Sequence, residues 1–198
     1  MASEVSICNL ALSNLGADAT IASLTEQSQE AFFCNRLYSG ARDYVLRAFP
    51  WGFARHYLAL SDLGTPVGGW AYRYGYPAQC LTALEIVAAG TRPGPKAIEF
   101  EIALADDFSS QVILTDQEAA TLIYTRQVTV PSVFSSMFIQ ALSWKLSTEL
   151  AMPITRDAAR MEAAQKMYSA LVSEARARDA NEGFKELSKE SEWITARA

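Results

Sequence analysis

The chain has few groups with which to do chemistry. Its single histidine, His56, has no cluster of Cys, Asp or Glu beside it and reads as a structural or surface residue rather than a ligand or base. The three cysteines, Cys8, Cys34 and Cys80, are far apart, odd in number and lack CxxC spacing, which argues against a disulfide framework and against a zinc site. Each lies among apolar residues and reads as a small buried hydrophobe, and a reducing cytosol suits such a chain. Gly68-Gly69 fits neither GxxxxGK[ST] nor GxGxxG and has no strand before it with a helix after it, so no phosphate loop is expected. No apolar run approaches a membrane span. The opening MASEVSICNLAL has no basic n-region and no long apolar core, so a secretion signal is not expected. Asp and Glu number 22 against 17 Lys and Arg, a formal net charge of −5. Gripping nucleic acid through its phosphates needs clustered Lys and Arg, which disfavours that function class.

The 198 residues are 50% hydrophobic and 20% charged, enough to bury a sizeable core without disulfide or metal support. The stretch from Pro131 to Met152, PSVFSSMFIQALSWKLSTELAM, organises the rest. Proline suits the first turn of a helix, and Pro153 closes the run, leaving room for about six turns. Val133, Phe134, Met137, Phe138, Ile139, Leu142, Trp144, Leu146 and Leu150 spread over most of the circumference, the pattern of a central core helix. The remaining small polar residues, Ser132, Ser136, Gln140, Ser143 and Ser147, form one ridge at i, i+3 or i+4 spacing. Such a ridge admits another helix closely, from the same chain or from a neighbouring subunit.

The spacing predicts a helix over Ser3 to Leu15 with Gly16 as its stop. Ser23-Leu24-Thr25-Glu26 has capping-box form and predicts a second helix running to about Phe49, with Glu30, Arg42, Asp43 and Arg47 on or near its outer side. An aromatic corner follows from Trp51 to Leu60. Gly and Pro punctuate Ser61 to Tyr76, a loop feeding a β region. Leu81–Ala88, Ile98–Leu104, Val112–Leu114 and Thr121–Thr125 predict a small antiparallel meander of about four strands, the second alternating apolar and polar residues as a strand with one wet face does. Thr155 is expected to cap a last long helix, with Gly183 at or just past its end. The fold class expected is α+β, mainly α: a helical bundle from both chain ends (1–60 and 130–182), an inserted small antiparallel β-sheet region (70–129) and a C-terminal extension (183–198). That extension keeps Phe184, Leu187, Trp193 and Ile194, bulky groups suited either to docking on a partner or to folding back on their own domain.

No catalytic, cofactor-binding or metal site is expected. Asp106, Asp107 and Asp116 read as turn residues without EF-hand spacing. Glu99 and Glu101 read as solvated carboxylates on one strand face.

Several stretches together resemble head-to-tail adaptor (connector) proteins of tailed bacteriophages, the tail tubular protein A-like family. SEVSICNLALSNLGA followed by IASLTEQSQEA is similar to their N-terminal helices, and YSGARDYVLRAFPWGFA to their second helix and its Pro-Trp corner. WAYRYGYPAQCL resembles their entry into the β region, and LIYTRQVTVPSVFSSMFIQALSWKLSTELAMPIT their last strand and following helix. These motifs are structural, and they reach to about residue 180. The resemblance implies a virion protein at the head–tail junction, made in the host cytoplasm. It implies a homo-oligomeric ring, usually of twelve copies, docked below the portal protein. DNA would pass through the ring without specific binding, and the ring would offer a surface to the distal tail tube or nozzle protein. It also implies portal contacts at Phe184, Leu187, Trp193 and Ile194, and contacts of the β block with neighbouring subunits or the distal tail. A heterologous interface that closes into a ring would suit the serine ridge and the aromatic residues. Two alternatives stay open: a phage head- or tail-completion protein, and a cellular non-enzymatic helical binding domain.

Overall fold

A computed structural model of the chain describes residues 2–17, 19–64, 66, 68–94, 97–105, 108 and 110–182. Helix α1 is Glu4–Asn14, and Ser3 caps it by accepting from the Ser6 N–H while the Ser6 hydroxyl accepts from the Ser3 N–H. The chain leaves α1 through Gly16, whose φ of 65° favours glycine. Helix α2 is Gln29–Ala48, capped by Ser28 rather than by Ser23. The Ser23–Glu26 segment forms a separate turn ahead of it, in which the Glu26 carboxylate accepts from the N–H groups of Ala22 and Ser23.

Helix α3 is Ser136–Leu150 and starts later than Pro131 suggested. Pro131–Val133 is a 3₁₀ turn, the backbone extends at Phe134, and Ser135 supplies the true cap, accepting from the Phe138 N–H. Past Leu150 the chain does not stop at Pro153. It widens into one π-type turn, Ala151–Thr155, and leaves through Arg156 with φ 54°. Asp157, not Thr155, then accepts from the N–H groups of Ala159 and Arg160 at the head of α4, Ala158–Glu182. The Thr155 hydroxyl instead donates back to Ala151.

Helix α3 packs against α1, α2 and α4. Their shared core holds Ile7, Cys8 and Leu12 from α1, Cys34, Tyr38 and Leu46 from α2, and Tyr168 and Val172 from α4, around Phe138, Leu142, Leu146 and Leu150. Each fully buried leucine of α3 contributes about 1.5–3 kcal/mol by leaving water. Helix α4 also ties the ends of the first two helices. Arg160 donates to the Leu15 carbonyl and Arg176 to the Ala48 carbonyl, so side chains cover backbone acceptors that a helix end leaves open. The Trp51 indole N–H does the same for Val45 at 2.8 Å and anchors an edge-to-face cluster with Phe49, Phe53 and Phe138.

The β region is larger than expected. Its strands are β1 (Arg55–Ala59), β2 (Tyr72–Gly75), β3 (Cys80–Ala88), β4 (Phe100–Leu104), β5 (Gln111–Thr115) and β6 (Ala120–Arg126). All pairings are antiparallel, in two three-stranded sheets of order β1-β6-β3 and β2-β5-β4. Among the described residues successive strands switch between the sheets except at β4–β5, which pair as neighbours, so this is not one meander. Ile86, Leu122 and Tyr124 from the first sheet meet Tyr74 and Ile113 from the second in a core of their own. Among the described residues there are thus four α-helices and two antiparallel sheets in a mixed α/β fold. This corrects the expectation of a mainly helical bundle from both chain ends with a small β insertion. The cause is clearest at β1: Arg55–Ala59 lies inside the part expected to be helical, yet it pairs along its length with β6. No described helix is long and apolar enough to cross a membrane.

Candidate interaction surfaces and a basic cleft

The serine ridge divides. Ser143 and Ser147 are buried. The Ser147 hydroxyl donates to the Ala11 carbonyl at 3.0 Å, and the Asn14 amide reaches both serines. This half of the ridge admits α1 of the same chain. Ser136 and Gln140 are exposed, and Ser132 sits on the 3₁₀ turn, off the helix. The four residues at the C-terminal extension, Phe184, Leu187, Trp193 and Ile194, lie outside the described residues, as do Gly183, Asp106 and Asp107.

The second sheet leaves apolar groups in water. In β4, Phe100 packs against the sheet core, but Ile102 and Leu104 on the same face are 41% and 53% exposed. The turn after β4 adds Phe108, 79% exposed at φ 58°. Strand β4 is an edge of its sheet, and among the described residues its outer backbone groups lack a strand partner. Glu101, the one carboxylate of β4, is exposed and accepts from the Trp70 indole at 3.2 Å, and Glu99, just ahead of the strand, is exposed as well. Asp116 accepts from the Ala71 N–H at 2.9 Å, which ties the bend after β5 to the chain just ahead of β2.

A cleft of about 410 Å³ lies where the first sheet meets the connector into α3. Arg55, His56 and Arg126 line it together with the amides of Gln79 and Gln127. Phe53, Val128 and Val133 supply an apolar wall. The Gln79 side-chain oxygen accepts from Arg126 Nε at 2.7 Å and so orients the guanidinium. Gln127 donates to Asp43 at 2.7 Å, and Asp43 is itself paired with the buried Arg42, which had been expected nearer the outer side. His56 rests edge-on against Tyr124, a structural contact. No linear signal marked this cleft, because β1, β3 and β6 bring its parts together from distant stretches.

The cysteines behave as core residues. All three are buried. A hydrogen bond with Cys34, and burial, hold the Cys8 thiol well above the usual range. Burial also raises Cys80, whose thiol donates to the Tyr76 hydroxyl. The Tyr38 hydroxyl is buried without a hydrogen-bond partner among the described residues, and burial pushes its pKa up. Among the described residues no group of three or more His, Cys, Asp or Glu is arranged to hold a metal ion.

No family model matches the chain, and no curated protein matches it in sequence.

Proposed function

We propose that this chain is a structural virion protein of a tailed bacteriophage: a head-to-tail adaptor that assembles as a ring below the portal, extends the DNA channel and presents a docking surface to the tail. The observation that carries the reading is the exposed apolar edge of the second sheet, Ile102, Leu104 and Phe108. Exposed apolar residues beside an open strand edge suit contact with another polypeptide. The resemblance of the helical stretches to phage adaptors says which kind of assembly that contact would serve. In this reading the ring closes through a heterologous interface, the β region of one copy meeting its neighbour or the distal tail. The segment 183–198 reaches the portal through Phe184, Leu187, Trp193 and Ile194. The net charge of −5 suits a channel that passes DNA without holding it.

The test is removal of residues 184–198. The truncated protein should keep the circular dichroism of the full chain and lose binding to the portal ring. Undiminished binding would overturn the assignment of the tail.

A further inference from the structure

We propose that the cleft at the foot of the first sheet binds a single carboxylate group carried on a small apolar body. Three observations point to it. First, Arg55, His56 and Arg126 line one cleft, no lining residue is acidic, and none of the three forms an ion pair among the described residues. Side chains alternate along a strand, so Arg55 goes to the other face of the sheet, while His56 and Arg126 share the face of the cleft and meet no carboxylate there among the described residues, in a chain with 22 acidic residues against 17 basic ones. Asp43, which reaches the cleft residue Gln127, is already matched by Arg42.

Second, the recognising group is held in place. Gln79 accepts from Arg126 Nε, which fixes the plane of the guanidinium and leaves its two Nη groups for a ligand. Two parallel N–H donors fit the two oxygens of a carboxylate. Gln79 is fastened in turn, because its backbone carbonyl accepts from the Gln127 N–H at 2.9 Å. Third, Phe53, Val128 and Val133 supply an apolar wall in the same cleft, so the ligand carries hydrocarbon next to its charge. A phosphate dianion has no use for that wall and meets more repulsion from the acidic molecule than a monoanion does. Such a carboxylate could come from a free organic acid or from an acidic side chain of a polypeptide; the chemistry recognised is the same.

The experiment is a titration of the full-length, ¹⁵N-labelled protein followed by NMR amide shifts. The probes are hexanoate, 1-hexanol, inorganic phosphate and the blocked dipeptide N-acetyl-Leu-Glu-amide. Hexanoate should move the amides of Gln79, Arg126, Gln127 and Val128 saturably, and hexanol should not. Arg126→Gln should weaken hexanoate about tenfold while leaving the rest of the spectrum unchanged. Should that variant fail to fold, Val133→Trp, at an exposed position, fills the cleft without touching its charge and should weaken binding likewise. Tighter binding of the dipeptide than of hexanoate assigns the site to a polypeptide partner; the reverse assigns it to a free acid. Equal shifts with hexanol, preference for phosphate, or hexanoate binding unaffected by both variants would each overturn the proposal.

Discussion

The hydroxyl of Ser147 on α3 donates to the carbonyl of Ala11 on α1 at 3.0 Å, and also to the Ser143 carbonyl at 2.8 Å in its own helix. The two helices can approach this closely because Ser147 is small, and it is fully buried between them. Ser147→Ala should cost about 0.5–1.5 kcal/mol, the net worth of a hydrogen bond. Ser147→Leu should cost more, about 1–3 kcal/mol, because α1 would have to move. Urea unfolding of both variants gives the comparison. A leucine as harmless as alanine would mean that the helices do not meet here.

Trp51 closes the end of α2 by donating its indole N–H to Val45. Trp51→Phe keeps an aromatic ring in the cluster with Phe49 and Phe138 but removes the donor. It should destabilise by about 1–3 kcal/mol, the cost of an unmet buried acceptor. An unchanged denaturant midpoint would show that water or another group serves that carbonyl.

How much of this was legible beforehand differs from element to element. Gly16 marks the end of α1, because a left-handed glycine is a local device, while Ser3, expected as the first helical residue, is its cap. Strands β3, β5 and β6 were visible as short apolar runs. Strand β1 was not, since RHYLA has no alternation of apolar and polar residues, and its partner lies at the far end of the β region. Pro131 misled because proline opens a 3₁₀ turn as readily as an α-helix, and the working cap, Ser135, stood a few residues further on. Charge alone puts Arg42 near the outside of α2, because it does not reveal a neighbour such as Asp43 that makes burial tolerable. The cleft at Arg126 was beyond reach, since it depends on register between strands that are distant in sequence.

Glu26 gives a pH signature in acid. The Ala22 N–H, followed by the Ser28 hydroxyl and the Ser23 N–H, holds its carboxyl below the usual value. A depressed folded pKa means stability that is present above the unfolded value, about 4.3, and lost as pH falls through the folded one. Glu26→Gln should therefore flatten the pH dependence of the melting temperature below about pH 4.3 and leave its shape near pH 7 unchanged. The same acid slope in both proteins would contradict this.

Tyr168 gives the opposite signature in alkali. Burial, with a smaller contribution from the neighbouring Tyr44, pushes its hydroxyl up to about 12. The unfolded chain ionises first, near pH 10, so the stability contributed by the neutral phenol falls as pH rises from 10 towards 12. Tyr168→Phe should lose less stability across that interval than the parent protein, read by urea midpoints at each pH. Parallel losses would mean that Tyr168 ionises freely in the fold.

Leu104 separates folding from assembly. It is 53% exposed on an edge strand, so Leu104→Lys should change unfolding free energy by no more than about 0.5 kcal/mol. If the apolar edge is an intersubunit contact, the same substitution should reduce ring formation under assembly conditions, measured by sedimentation. Normal rings from the lysine variant would move the interface elsewhere.

The most direct measurement is the mass of the protein alone and mixed with the portal ring encoded nearest to its gene, by light scattering on a sizing column. The adaptor reading expects a small species alone that joins the portal as about a dozen copies. No association under assembly conditions would contradict it.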